Sequence, residues 1–415
     1  MTHLYSLILI ELYVHERPSF MTHRLLFIFI FSLTFLFNAC GSNASSDEAV
    51  QTFSLDEKEF LHTLFLTEYL WYDQVAQTVD YTLFSQPQEM IDALRINPPD
   101  GWSFTMTQQE YEDTNHQKTS GFGFGYASDF FIYLVRINSP AYNKLYRGDQ
   151  ILEINGEAAT ELLITQASQN LNTPATFTLL RDGTLIDVSV TPSEYSFNVS
   201  LGKILIHEGE KVGYLQYDAF TESSVAEFEQ IFSTFYTENI NELVIDLRYN
   251  GGGSIVTASV LLDNISNAYV GQRQMYLDWN ENYKQNNTSY AFEDADLQDG
   301  NELTMKRVFF LTTKDSASAS EAVINALKPY LGDANVITIG DNTHGKPVGM
   351  SGRTYGLNYY FLINFFVKNN AEQSTSFEGI PATCYAQDDI THLLGDTEET
   401  MLKTALVYMT TGVCL

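Results

Sequence analysis

Between residue 54 and the end of the chain the spacing of apolar positions changes twice. Ser54-Leu55-Asp56-Glu57 has the form of a capping box, and the run EFLHTLFLTEYLWYD that follows repeats apolar residues at helical spacing. A second helix is predicted around Gln88 to Ile96, ahead of the stop Asn97-Pro98-Pro99-Asp100-Gly101. From about Ser120 the period becomes that of strands. SGFGFGY, FFIYLVRI and SPAYNKLYRGDQILEINGEAA lead through a helical stretch to TFTLLRDGTLIDVSVTP, in which Asp182-Gly183 marks a hairpin turn. After Pro192 strands alternate with helices: KVGYLQYDAF, a helix from Ser224 to Tyr236, ELVIDLRYN, a helix after Gly253, RVFFLTT, a helix after Ser318, and NVITIG. That is α/β layering with buried strands. The expected organisation is an N-terminal helical domain over 54–115, a β-rich domain over 116–195 and an α/β domain over 196–415.

The first forty residues follow another rule. Arg24 precedes LLFIFIFSLTFLF, 13 apolar or near-apolar residues from Leu25 to Phe37, too few to span a bilayer and suited to the core of a signal peptide. Asn38-Ala39-Cys40 follows, and a small residue directly before a Cys resembles a bacterial lipoprotein processing site. On that reading residues 1–40 are an export signal, Cys40 carries lipid, and the protein is anchored to the bacterial envelope, on its periplasmic face or at the outer membrane. An ordinary cleaved signal peptide is the alternative. Met21-Thr22-His23 repeats Met1-Thr2-His3, which makes Met21 a candidate start. Residues 41–53 are small and polar, as a tether should be. In an exported chain Cys384 and Cys414 read as one disulfide, the alternative being two buried thiols. The chain has 22 Lys plus Arg against 52 Asp plus Glu, a net charge of −30, which sets aside nucleic acid as a partner. It contains no C-x-x-C and no H-E-x-x-H, so nothing in it asks for a metal or a cofactor.

Three glycine- or serine-rich turns remain as candidates for chemistry. GDNTHGKPVG meets a phosphate-binding loop at Gly340, Gly345 and Lys346, but Pro347 stands where that loop needs a hydroxyl. DLRYNGGGS runs from an apolar strand into Gly251-Gly252-Gly253 before a helix; it either presents free amides to an anion or is a tight turn that needs glycine. TTKDSASASEAVINAL places Ser318 at a helix start, where it caps the helix or serves as a nucleophile beside free amides.

Taken in order, DLRYNGGG, SASASE and THGKP resemble the C-terminal processing peptidases, or tail-specific proteases, and the likeness extends from about Ser54 onward. It implies a crotonase/ClpP-like α/β peptidase core, with Ser318 as nucleophile, Lys346 as general base, and Gly252 and the Ala319 amide as oxyanion hole. A serine hydroxyl needs a neighbour to take its proton, and a lysine serves if burial keeps it neutral. His344, two residues before the lysine, is an alternative base. RGDQILEING and Gly121-Phe122-Gly123-Phe124 resemble the central strand and carboxylate-binding loop of a PDZ domain, which implies capture of polypeptide substrates by accessible C-terminal tails. Two departures stand out. Met350 occupies the position where many relatives orient the lysine with a glutamine, and the Ser318 to Lys346 segment is slightly long near Leu331-Gly332-Asp333. The implied activity is a serine endopeptidase with a Ser-Lys dyad; the alternative is a degenerate lipoprotein that only binds tails. The oligomeric state stays open.

Overall fold

Strands that are apolar on both faces must be covered on both. In the computed structural model, which describes residues 53–293 and 302–415, Val308–Thr312 is buried at every position. It sits inside a six-stranded sheet ordered Ser200–His207, Glu210–Tyr217, Glu242–Asp246, Val308–Thr312, Val336–Gly340 and Cys384–Tyr385. The first pair is antiparallel and the rest are parallel. Val308 and Phe310 share a core with the helices Ser224–Thr237, Ile255–Ile265 and Ala319–Leu331, whereas Phe309 and Leu311 pack against Thr400–Thr411. The three middle parallel strands end on one side, and their following loops carry the candidate residues, as ligand sites in such sheets do. Cys384 and Cys414 are joined by a disulfide that ties the edge strand to the segment after the last helix. Residues 1–52, which hold the segment read as an export signal, Cys40 and most of the stretch read as a tether, lie outside the described residues. Among the described residues, no helix is long and apolar enough to cross a membrane.

A second, antiparallel sheet is built around the long strand Asn358–Asn369, which pairs with Val348–Tyr355, Arg273–Trp279 and Phe104–Thr107. The helices Leu55–Thr67 and Pro87–Leu94 lie on it, and Leu61, Phe65, Tyr69 and Ile91 share a core with Val348, Met350 and Tyr360. Residues 54–115 thus pack on a sheet drawn largely from the C-terminal part of the chain. Their pairing partner stands some 250 positions along the chain, beyond the reach of local spacing.

Residues 118–196 form a separate β-rich body with its own core around Phe122, Ile151 and Phe177. Asp182 and Gly183, at φ 49° and 76°, make the hairpin turn between Ala175–Arg181 and Thr184–Val190. Arg147 fastens this body to the core: its guanidinium donates to Asp388 Oδ1, to Tyr249 Oη and to the His392 carbonyl.

Candidate active site

The strand Val308–Thr312 passes through 313–317 into the helix Ala319–Leu331, and Ser318 forms the corner with φ 63° and ψ −110°. That backbone is costly for a residue with a Cβ, roughly 1–3 kcal/mol, and persists only where the surroundings enforce it. The three serines of the motif behave differently. Ser316 Oγ donates to the Leu247 carbonyl and Ser320 Oγ to the Asn250 carbonyl, so both hold the turn together. Ser318 Oγ is buried without a partner among the described residues. A hydroxyl in that state is a structural cost and a chemical opportunity.

Lys346 occupies the loop between Val336–Gly340 and Val348–Tyr355, 1 % exposed, and its Nζ is likewise buried without a partner. Burial pulls its pKa down to about 7, against the opposing pull of the Asp100 and Glu321 carboxylates. An amine neutral near pH 7 is able to accept a proton. Glu321 brings the two loops together. Its Oε2 accepts from the backbone N–H of Ser318 and of Lys346, each at 2.8 Å, and its Oε1 accepts from Gly345 N–H and Thr343 Oγ1. With both amides on one oxygen, residues 318 and 346 are held side by side. The amides of Gly345 and Lys346 thus face a carboxylate of the protein itself, and a strand follows them where a phosphate-binding loop would open a helix. The phosphate reading of GDNTHGKP ends there.

Gly252, at φ 105°, lies so close to the corner that a Cβ on it would fall 2.9 Å from Ser318 Cβ and 3.1 Å from the Ala319 nitrogen. Only glycine fits. Ala319 N–H, the first amide of the helix, meets no acceptor among the described residues. Gly252 N–H does, donating to Asn250 Oδ1 at 2.9 Å. The structure thus revises its reading: Asn250 captures the amide two positions on, as Asn does in turns, and Ala319 alone presents a free donor in this conformation. His344 is occupied as well. Trp102 Nε1–H donates to its Nε2 at 3.1 Å, and its Nδ1 lies 3.1 Å from the Lys314 carbonyl. An indole nitrogen can only donate, so the Nε2 lone pair is taken by Trp102 and is not offered to Ser318.

In the β-rich body, Gly121 and Gly123 both have positive φ, 117° and 85°, and flank Phe122, which is buried against Phe124 and Phe177. A Cβ on Gly121 would meet Ser168 of the helix Glu161–Gln169. The strand Phe124–Tyr126 pairs with Ile132–Val135 and with no other described strand, which leaves one edge open.

Sequence reasoning missed three residues that shape the site. Glu321 is visible only as the fourth member of a capping box, Asn250 only as an Asn before glycines, and Trp102 carries no local signal at all. Met350, where a glutamine was expected, lies in the apolar cluster with Leu61, Phe65 and Val348.

Residues 211–380 match the model of peptidase family S41, and residues 57–104 match that of the peptidase S41 N-terminal domain. Carboxy-terminal processing protease CtpB of Bacillus subtilis is 26% identical over 225 residues, 50% of this chain and 42% of that protein. A carboxyl-terminal-processing protease of Picosynechococcus is 26% identical over 208 residues, 48% of this chain and 46% of that one. The chain thus spans about half the length of the curated relatives it matches. A solved structure described as a candidate S41 protease of Bacteroides fragilis covers 85% of this chain and 97% of its own, with TM-score 0.74 and 24% identity, and so shares the fold. Two segments of this chain thus match models of peptidase family S41, and the curated relatives it resembles are C-terminal processing proteases.

Proposed function

We propose that the protein is an exported serine endopeptidase that hydrolyses polypeptides near their C-terminal tails with a Ser318-Lys346 dyad. What supports the reading above all is a pair of side chains: the hydroxyl of Ser318 and the amine of Lys346 are both buried, both unpartnered, and carried by loops that one carboxylate binds. Lys346, as the free amine, takes the Ser318 proton while Oγ attacks the scissile carbonyl and the oxyanion forms beside the Ala319 N–H. The ammonium then gives that proton to the leaving amine, and water repeats the sequence on the acyl-enzyme. Gly252 joins the oxyanion hole if its amide leaves Asn250.

The body over 118–196 is read as a PDZ-like tail receptor, with Gly121, Phe122, Gly123 and Phe124 at the carboxylate end and the open edge of Phe124–Tyr126 available to an extended peptide. Lipid on Cys40 would hold the enzyme at the envelope.

Substitution tests the chemistry. Ser318→Ala and Lys346→Ala are each expected to lower cleavage of a disordered protein at least about 10³-fold while keeping the native circular dichroism spectrum. Cleavage retained by Ser318→Ala would end the proposal. Because the base must be unprotonated, kcat/KM is expected to rise with pH through about 7 and then level. A rate that falls across that interval would exclude Lys346 as the base.

A further inference from the structure

We propose that Trp102, supplied by the N-terminal segment, is the positioning residue of Lys346: its indole is the wall that separates the amine from water and the clamp that fixes the loop carrying it. This rests on the reading of Lys346 as general base. The Nζ lies 5.7 Å from the centroid of the Trp102 ring, and among the described residues no polar side chain bonds it. The same indole donates to His344, two residues before Lys346, and His344 is held from behind by the Lys314 carbonyl. The Phe377 ring stacks near Trp102 at 6.4 Å with the planes 12° apart. Trp102 is therefore a contact shared by the amine, the loop and an aromatic neighbour.

Its own placement is over-determined. Trp102 N–H donates to Asp100 Oδ1 at 2.9 Å, as does Ser103 N–H, and Asp100 Oδ2 accepts from the hydroxyls of Tyr69 and Ser103. Ser103 Oγ in turn accepts from Ile363 N–H of the long strand. Asp100 is wholly buried. A buried carboxylate with four donors is a rigid mount, and Ser103 ties it to the long strand of the second sheet.

The charges around the amine oppose its neutral form. The carboxylates of Asp100 and Glu321 favour the ammonium, and the faces of an aromatic ring attract cations. Lys314, whose Nζ donates to the Thr343 carbonyl, is the one cation on the adjoining loop, and Asp315 beside it lies close enough to His344 to interact. Exclusion of water must outweigh the two carboxylates for Lys346 to be a base, and Trp102, itself part-buried, is the ring that lies against the amine, 5.7 Å from Nζ to its centroid. Removing the indole should thus raise the affinity of Lys346 for its proton even though a cation–π contact is lost.

The test titrates the amine directly. In full-length Ser318→Ala protein labelled with lysine carrying ¹³C at Cε, the Lys346 signal is assigned by its loss in Lys346→Met and followed with pH. Adding Trp102→Ala is expected to move its midpoint up by about one pH unit. Trp102→Phe keeps the ring and loses the bond to His344, and a shift of less than half that size is expected. Trp102→Leu gives the same upward direction if the alanine form does not fold. In the active enzyme, the rising limb of kcat/KM should move upward with the amine, so that activity lost at pH 7 returns at pH 9. A midpoint that stays in place in Trp102→Ala or Trp102→Leu overturns the proposal. A midpoint that moves while the limb of kcat/KM stays put upholds the wall and removes instead the assignment of Lys346 as base.

Discussion

The two halves of the site are built by different kinds of structure. The Ser318 half stands on the parallel sheet, where an apolar strand, a small-residue turn and a helix follow one another within about twenty residues, so that Ser318, Ala319 and their corner are dictated locally. The Lys346 half is assembled from three distant places: the loop of Lys346, the long antiparallel strand behind it, and the segment around Trp102, 242 positions from its hydrogen-bond partner His344. Local order gives Ser318 its strained backbone. Long-range order gives the lysine its dry surroundings. A single carboxylate, Glu321, belongs to the first half by sequence and to both by its bonds.

That makes Glu321 the place to break the comparison most severely. Glu321→Gln keeps the size and one acceptor but turns an NH₂ group toward the N–H and O–H donors that now meet a carboxylate. A loss of about 3–5 kcal/mol is expected in urea unfolding, together with a fall in kcat in the protein that remains folded. If stability fell while kcat held, the carboxylate would serve the fold alone and the two halves would be joined in some other way.

The dryness of the Lys346 half has its own signature. The folded-state pKa of Lys346, about 7, lies below the ordinary value of 10.5, so between these limits the unfolded chain binds more protons than the native one. Stability from this group therefore rises as pH climbs from 7 to 10.5, and the cost is greatest below 7. Lys346→Met removes the cost and is expected to stabilise the inactive protein by up to about 4 kcal/mol near pH 7, a gain that fades toward pH 10.5. Melting curves of both proteins across that window measure it, and a difference independent of pH would show that the amine is not kept from water.

The sequence made these halves unequally legible, for a physical reason. Apolar runs such as VFFLT and VITIG declare buried parallel strands, and glycine or serine at their ends declares turns, so the central sheet and Ser318 could be read from neighbours in the chain. The strand Phe104–Thr107 and its mate Asn358–Asn369 could not, because a four-residue edge strand has no periodicity until its partner is known. Trp102 shares that fate. Lys346 was found through its motif and Cys384 with Cys414 by their isolation, whereas the capture of the Gly252 amide by Asn250 needed coordinates.

The disulfide sharpens the contrast from the local side, since it joins positions 30 apart at the edge of the central sheet, outside the loops of Ser318 and Lys346. Cys384→Ser with Cys414→Ser is expected to cost about 3 kcal/mol through the freer unfolded chain, with kcat per folded molecule unchanged. Loss of kcat without loss of stability would mean that the C-terminal segment reaches the site.

The smallest effect separates chemistry from architecture inside one motif. Ser316 and Ser320 each give a hydrogen bond to a buried carbonyl, so Ser316→Ala and Ser320→Ala should each cost about 1 kcal/mol. Ser318 has no such bond, and its φ of 63° suits glycine better than serine. Ser318→Gly relieves roughly 1–3 kcal/mol of backbone strain and removes a buried unpaired hydroxyl, against about 1 kcal/mol of added freedom in the unfolded chain. The net expectation is a gain of about 1 kcal/mol in a protein that no longer cleaves, measured by the same urea titration as its two neighbours. Opposite signs at positions two residues apart would mean that the middle serine is held against the preference of the fold, which is what a nucleophile requires and a helix cap does not. A loss at all three positions would return Ser318 to the role of a cap.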